Sequence, residues 1–339
     1  MHLSLVLSVI TSFIAILLLR PVAVNWGLVD TPDNRKQHTG KIPLTGGLAI
    51  YLATLSSVSL YLENSQHINL ILVSVSLMVF IGALDDRYDL NAKLRLIAQI
   101  LIASILTFGT DIQITSFGNL LGLGEIYTGP LSGLVTLLAI VAGINAFNMV
   151  DGIDGLAGTL ALISLVAIGF VMSDTNIKLL IGVLTASLIV FLLFNLGLFS
   201  KKNKIFMGDA GSMMLGLVVA WLLIVASQSD RASVPPAHVL WFIAVPLIDM
   251  IAVMFRRLRK GRSPLVADRE HLHHVFMDIG MNSRQALLFI SSISLILSFV
   301  GFLFVSYQLP ENITILSFFV IFIIYNKLLS LRHKYKQQK

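Results

Sequence analysis

The sequence predicts an all-α membrane protein whose helices cross a bilayer about eleven times. Hydrophobic residues make up 56% of the 339-residue chain and charged residues only 12%, with a mean hydropathy of +0.87, whereas soluble domains average about 25% charged residues. The apolar residues also occur in blocks of about 15–24, the length at which a helix spans a bilayer core of about 30 Å. These blocks lack the alternating pattern of a membrane β-barrel.

Polar breaks divide the chain into eleven apolar segments, which we take as one membrane domain covering residues 1–339. The first segment has no basic start and ends at Arg20-Pro21 without a small-residue cleavage site, so we expect a retained span rather than a signal peptide. The predicted spans are residues 3–20, 44–62, 68–84, 94–110, 131–150, 155–173, 177–199, 212–228, 237–256, 285–309 and 312–330.

The basic residues are distributed unequally between the two sets of connecting segments. Of the 24 Lys and Arg residues, all but Lys178 and Arg231 belong to one side, which the positive-inside rule makes cytoplasmic. The N-terminus is then outside and the C-terminus is cytoplasmic. The net charge of +6 therefore indicates topology and a lipid bilayer, not nucleic acid. The predicted cytoplasmic loops, which we expect to form the active site, are residues 21–43, 85–93, 150–155, 200–211 and 257–284.

Carboxylates and amides stand where two predicted spans meet at this face. Asn145 and Asn148 lie at the end of the fifth span, Asp151 and Asp154 lie between it and the sixth, and glycines follow both aspartates. Ionised acids beside hydrocarbon usually pair, bind a cation or line a polar cavity, and glycine lets a ligand approach the backbone. The alternative is an ordinary Gly-Asp turn between two helices.

A second acidic motif, Asp85-Asp86, lies at the end of the third span, with Lys93 and Arg95 just downstream. Adjacent carboxylates repel one another unless a cation or a base offsets them, and such pairs are common at Mg²⁺-dependent phosphoryl-transfer sites. The alternative interpretation is a solvated helix end. The first loop, which contains Arg35, Lys36 and His38, suits phosphate contacts or serves only to orient the protein.

The segment before the eighth span places Asp209 between glycines at a predicted helix N-terminus, where it could reach a metal while nearby amides face an anion. Phe206 offers a flat apolar surface for a base, although a lone aromatic residue more often packs in a core. The absence of cysteine excludes disulfides, thiol nucleophiles and thiolate metal sites.

The largest inner loop combines a basic run with clustered histidines. The basic run, which includes Arg256 and Arg257, could orient the protein or bind anionic lipid. His271, His273 and His274 could bind a transition metal, but without a matching Cys or Glu pattern we favour donors to a phosphate or sugar. Asp249, inside the ninth span, is a candidate partner for one of these bases.

Together these loops suit a divalent cation and a polyanionic substrate. The chain resembles the polyprenyl-phosphate N-acetylhexosamine-1-phosphate transferases, glycosyltransferase family 4. The similarity covers nearly the whole chain, and five motifs occur in order on one membrane face. The first motif comprises Gly27–Asp30, Ile42–Leu44 and Gly46-Gly47. The next three are Ile81–Arg87, Ile144–Gly155 and Phe206–Ser212, and the fifth comprises Arg256–Lys260 and His271–His274.

The resemblance implies transfer of N-acetylglucosamine-1-phosphate from UDP-GlcNAc to undecaprenyl phosphate on the cytoplasmic face of a bacterial inner membrane. Mg²⁺, or Mn²⁺, would be the cofactor, the product would start a surface polysaccharide of the O-antigen or common-antigen type, and a homodimer is left open. The implied catalytic residues are Asp85, Asp86, Asp151 and Asp154; the metal ligands are Asn148 and Asp209 with Asp151; and the substrate-binding residues are Phe206, Gly152, Gly155, Lys93, Arg95, Arg256, Arg257, His271, His273 and His274.

Several alternatives stay open at this point. A lipid phosphate is already an oxyanion near neutral pH, so we predict in-line displacement, while a covalent aspartyl-phosphate route through Asp151 or Asp85 is the alternative. Another UDP-N-acetylhexosamine could be the donor. An ion-coupled transporter would instead place its acids near the bilayer midplane, and a lipid-binding scaffold would have no turnover.

Overall fold

The protein was examined as a computed structural model that describes residues 2–31, 40–229, 232–261, 263 and 271–337. The basic part of the first loop, at 32–39, and most of 262–270 lie outside the described residues. The helices are α1 (His2–Trp26), α2 (Gly46–Tyr61), α3 (Gln66–Tyr88), α4 (Ala92–Gly109), α5 (Ser132–Val150), α6 (Leu156–Val171), α7 (Thr175–Asn195), α8 (Gly208–Gln228), α9 (Pro236–Val239), α10 (Ala244–Arg259), α11 (Leu272–Asp278), α12 (Ser283–Ser306) and α13 (Glu311–Gln337).

These helices confirm an all-α, polytopic membrane protein. Within the described residues, nine helical segments are long and apolar enough to cross a bilayer, while α2 and α6 are apolar but shorter, at 16 residues each. Each predicted span coincides with one helical segment. The count of eleven crossings and the orientation of the termini stay predictions. The described strands, β1 (Val29–Asp30) and β2 (Ile42–Pro43), form an antiparallel pair of two residues each.

The boundaries of the cytoplasmic loops were partly wrong. Helix α3 continues to Tyr88, so Asp85 and Asp86 lie in the last turn of a helix and not in a loop at 85–93. Helix α1 likewise continues through Pro21 to Trp26. The loop at 257–284 contains the short helix α11.

The ninth span was predicted as one segment at 237–256. In the structure it is divided into α9 and α10, which are joined by a 3₁₀ turn at Leu240–Ile243. Pro246 has no N–H with which to continue the helical hydrogen bonding to the carbonyl of Phe242. The hydroxyl of Ser164 on α6 donates to that carbonyl instead, at 2.6 Å. The break is therefore satisfied by a neighbouring helix.

Helix α8 is the centre of the bundle, and 94% of its most apolar 18-residue stretch is buried. Small residues let α2 and α3 come very close to it. A Cβ added at Gly47 of α2 would lie 2.2 Å from the amide nitrogen of Gly211, and one at Gly82 of α3 would lie 2.3 Å from the Cα of Ala210. These contacts fix the first turn of α8, which carries Asp209.

The segments predicted to lie outside meet at one end of the bundle. Gln66 donates to the carbonyl of Gly109 at 2.9 Å, and the amide of Gln228 pairs with the backbone of Ser116. The carboxylate of Glu311 accepts from the backbone amides of Asn119 and Ala237. The segments predicted to be cytoplasmic meet at the other end, where the candidate site lies.

Candidate active site

Asp85 is buried, 4% exposed, and both of its carboxylate oxygens are engaged. One oxygen accepts from Arg95 Nη1 at 2.8 Å, and the other accepts from the backbone amide of Leu90 at 2.9 Å. Arg95 lies in the first turn of α4, so this ion pair joins the end of α3 to the start of α4. The structure therefore pairs two residues that the sequence placed ten positions apart in one acidic and basic motif.

Asp86 faces a different helix. Its carboxylate accepts from the backbone amides of Asp209 at 2.7 Å and of Ala210 at 3.2 Å. It therefore satisfies amides that have no partner inside the first turn of α8. Gly208 permits this contact, since a Cβ there would lie 2.4 Å from Asp86 Oδ2.

Asp209 and Asn148, both predicted as metal ligands, are brought together. Asn148 Nδ2 donates to Asp209 Oδ1 at 2.6 Å and to the hydroxyl of Ser212 at 3.2 Å. Arg95 Nη1 lies 3.9 Å from Asp209 Oδ2. Three acids from two helices thus share a single short-range network with one guanidinium.

The turn from Asp151 to Gly155 joins α5 to α6 beside this network, and Gly155 adopts a φ of +76° that favours glycine. Asp151 is exposed to solvent, but the protein around it disfavours its charged form, and the charges of Asp209 and Asp154 do so further. Together they raise the pKa of Asp151 to about 7. The predicted group Asn148, Asp151 and Asp209 therefore lies in one region.

Lys204 is a residue that the site prediction missed. Its ammonium is 2.5 Å from Asp154 Oδ2 and 5.1 Å from the ring centroid of Phe206. A signal was present in the sequence, because Lys204 stands two residues before Phe206 in a lysine-rich segment. Asp154 and Phe206, which the resemblance placed at the site, are thus joined through a cation.

His273 packs directly on the turn at Gly152, where an added Cβ would lie 2.1 Å from His273 Nε2. The side chain is 2% exposed, and neither ring nitrogen has a hydrogen-bond partner among the described residues. Burial, and then the neighbouring His274, lower the pKa of His273 to about 3, so the ring is neutral near pH 7. The ring of His274 lies 4.2 Å from that of His273.

His271 is held by a buried acid, which the sequence singled out as a candidate partner for this loop. Asp249, 1% exposed on α10, lies 2.9 Å from His271 Nδ1 and accepts from the backbone amide of Leu272 at 3.1 Å. The hydroxyl of Tyr325 on α13 donates to the same carboxylate at 2.5 Å. Tyr325 was missed because it lies in a segment that reads as a plain apolar span.

Other predicted substrate-binding residues are placed less centrally. Lys93 is exposed, and its backbone amide takes part in the Asn91 cap of α4. Arg256 and Arg257 occupy the last turn of α10, with Arg257 buried.

The matches to known proteins agree with this geometry. Residues 68–227 match the model of a protein family described as "Glycosyl transferase family 4". Three relatives carry the name undecaprenyl-phosphate alpha-N-acetylglucosaminyl 1-phosphate transferase. That of Salmonella typhi is 39% identical over 316 residues, 92% of this chain and 86% of the relative. That of Escherichia coli K12 is 39% identical, covering 90% and 84%, and that of Haemophilus influenzae is 37% identical, covering 95% and 92%.

The chain belongs to glycosyl transferase family 4. This confirms the resemblance inferred from the motifs and makes the protein a transferase. The segment that matches the family runs from α3 to the end of α8 and contains both acidic motifs, the turn at 151–155 and Asp209.

Proposed function

We propose that this family 4 transferase moves N-acetylglucosamine-1-phosphate from UDP-GlcNAc to undecaprenyl phosphate, with release of UMP. The reaction takes place at the cytoplasmic face of a bacterial inner membrane and starts the assembly of a surface polysaccharide. The observation that carries the proposal is the meeting of Asn148, Asp209, Asp85 and Arg95 within one network at one end of the bundle. Asp85 and Asp209 lie at helix ends and not at midspan, which disfavours an ion pathway.

The donor set fits Mg²⁺, which takes one or two carboxylates and completes its shell with phosphate oxygens and water. Asp209 would be the first ligand, Asp151 would add the second carboxylate, and the carbonyl oxygen of Asn148 is available as a neutral ligand. When bound, the cation would neutralise charge on the diphosphate of the donor. Within the described residues no group of three or more acids and histidines could hold a metal ion by itself, so the proposed ion depends on ligands from the substrate and water.

Asn148 has a second role in this arrangement. By donating to Asp209 it holds that carboxylate toward the site, and Ser212 fixes the orientation of the amide. Preorganised groups of this kind cost no reorganisation during the reaction.

The engagement of Asp85 favours direct displacement over a covalent intermediate on this residue. As a nucleophile it would have to release one of its two partners, because each of its oxygens already accepts a hydrogen bond. As a positioning residue it holds Arg95, which can meet the acceptor phosphate. That phosphate is ionised near neutral pH and needs orientation and charge neutralisation more than a base.

The nucleotide and sugar are assigned to the groups around the 151–155 turn. Phe206 would stack on the uracil while Lys204 holds Asp154 beside it. His273, neutral and without a hydrogen-bond partner in the described part of the chain, is available as a donor or acceptor for the sugar or diphosphate. His274 lies against its ring.

The test is UMP release by the purified full-length protein. Turnover should require UDP-GlcNAc, undecaprenyl phosphate and Mg²⁺ together, with inversion at the transferred phosphorus. Asp209→Asn should abolish it, whereas Asp174→Asn should not, because Asp174 lies at the N-terminus of α7, outside the acidic network, and asparagine caps a helix equally well.

Unchanged turnover in Asp209→Asn would refute the metal assignment. A trapped phospho-enzyme, or retention at phosphorus, would refute direct displacement. Faster turnover of another UDP-N-acetylhexosamine would replace the sugar but keep the chemistry.

A further inference from the structure

An apolar groove of about 540 Å³ runs between α1, α2 and α3, outside the catalytic network. Its walls are mainly aliphatic and aromatic, and they include Leu19, Leu48, Phe80 and Leu84. From Leu19 to Trp26 helix α1 advances about 10 Å, at 1.5 Å per residue. The groove is therefore long enough to hold a substantial part of a lipid chain.

A cation and two aromatic residues stand at one end of the groove. Arg87 lines it together with Trp26 and Tyr88, which are 75% and 66% exposed. Exposed Trp and Tyr are typical of the level where lipid headgroups begin. Arg87 contacts the Tyr88 ring at 5.4 Å, and no carboxylate pairs with it in the part of the chain that the structure describes.

Two further details shape this end for a ligand. Gly27 has a φ of +70°, which favours glycine, and the guanidinium carbon of Arg87 lies 3.4 Å from where a Cβ would stand, an ordinary van der Waals contact. Thr45 also lines the groove, and its side chain is buried.

We infer that this groove is a binding site for an anionic phospholipid, with an acyl chain between the helices and the phosphodiester at Arg87. Basic pockets between membrane helices at the cytoplasmic side are suited to anionic headgroups. The inference does not require the proposed transferase reaction, because it concerns a resident lipid and not a substrate.

The directions of three successive side chains exclude the reacting lipid from this place. Asp85 contacts Arg95 of α4, Asp86 contacts the first turn of α8, and Arg87 lies against Gly27 at the end of α1. Consecutive helical residues differ by about 100° around the axis. A phosphate at Arg87 is thus separated from Asp209 by α3 itself and cannot react there.

The experiment uses full-length protein, delipidated in detergent and titrated with dioleoyl-phosphatidylglycerol or dioleoyl-phosphatidylcholine, with bound lipid counted by native mass spectrometry. The wild type should bind the anionic lipid more tightly. Arg87→Gln should lose about fivefold in affinity for it and little for phosphatidylcholine. Arg87→Lys should retain the preference. Ala83→Phe, which fills the groove, should weaken binding of both lipids.

The matched control is Arg284→Gln, because Arg284 is an exposed arginine in the first turn of α12. This variant should bind both lipids like the wild type. Equal affinity of the wild type for the two lipids would overturn the inference, as would an equal loss in Arg284→Gln. Displacement of phosphatidylglycerol by undecaprenyl phosphate, lost in Arg87→Gln, would assign the groove to the acceptor and also overturn it. Thermal unfolding of each variant shows whether it is folded. If Ala83→Phe does not fold, the lipid affinities of Arg87→Gln alone decide whether the groove binds an anionic phospholipid.

Discussion

Gly82→Ala should uncouple the acidic pair on α3 from Asp209 on α8, the proposed metal ligand. The new methyl group would begin 2.3 Å from the Cα of Ala210 and 2.5 Å from its amide nitrogen. To reach the ordinary contact distance of 3.4 Å, the helices must separate by about 1.1 Å. Backbone cannot yield as a side chain can, so the first turn of α8 moves away from Asp86.

This displacement acts on both stability and turnover. Overpacking costs about 1–3 kcal/mol, and the gain in helix propensity from Gly to Ala offsets only about 1 kcal/mol of it. The amide contacts of Asp86, at 2.7 and 3.2 Å, would stretch beyond hydrogen-bonding distance. A misplacement of about 1 Å can cost about 100-fold in rate, so we expect a loss of that order in kcat.

The assay is UMP release from UDP-GlcNAc at saturating undecaprenyl phosphate, with thermal unfolding in the same detergent. Gly169→Ala is the control, because its nearest neighbour is the Ile181 methyl group at 3.3 Å, which can yield. If folded Gly82→Ala turns over like the wild type, the close crossing does not position Asp209. An equal loss in Gly169→Ala would indicate a general intolerance of helix substitutions.

Three further predictions concern the polar groups around this crossing. The pKa of His273 is about 3 in the folded state against 6.5 in the unfolded state, so the unfolded state binds more protons below pH 6.5. Lowering the pH from 7.5 to 5 should therefore cost about 2 kcal/mol of stability. Thermal unfolding as a function of pH should show this loss in the wild type but not in His273→Gln. Tyr325→Phe removes a donor from Asp249 and should raise the KM for UDP-GlcNAc severalfold while kcat changes little, as steady-state kinetics would show. Lys204→Met leaves the partly buried Asp154 unpaired and should weaken UDP binding about tenfold, measured by calorimetry.

Controls for these variants come from exposed positions. Tyr307 is 75% exposed, so Tyr307→Phe should leave the KM unchanged. Lys202→Met should likewise leave UDP affinity unchanged, since Lys202 lies two residues before Lys204 and is exposed. Effects as large in either control, or the same pH dependence in wild type and His273→Gln, would contradict the assigned contacts.

The membrane helices could be predicted because length and hydropathy act locally. Each apolar block must form its backbone hydrogen bonds within itself, so a helix follows wherever the block is long enough. The errors occurred where this local rule stops. Helix α3 carries its polar last turn through Asp85 and Asp86 because α4 and α8 satisfy those carboxylates, and the break before α10 depends on Pro246 and on a hydroxyl from α6.

The site residues could be chosen from the sequence by type and face, but their partners could not. Lys204 meets Asp154 across 50 positions, and Tyr325 meets Asp249 across 76. Both contacts depend on how the helices pack. The cap that Asp86 provides for α8 is also tertiary, since it requires the glycine crossing at Gly82. The types of residue predicted a site for a polyanionic substrate. Which partner each acid contacts could be seen only in the folded structure.

The different partners of these acids support the proposal that a cation completes the site. Asp85 is neutralised by Arg95, Asp86 accepts two amides and Asp209 accepts from Asn148. Within the described residues, no donor reaches the carboxylate of Asp151, and the protein around it raises its pKa to about 7. Asp85 and Asp209 share the guanidinium of Arg95, so the acids outnumber that cation. In the proposed reaction, a divalent ion that arrives with the diphosphate would reduce this repulsion, so binding of the donor would also complete the site.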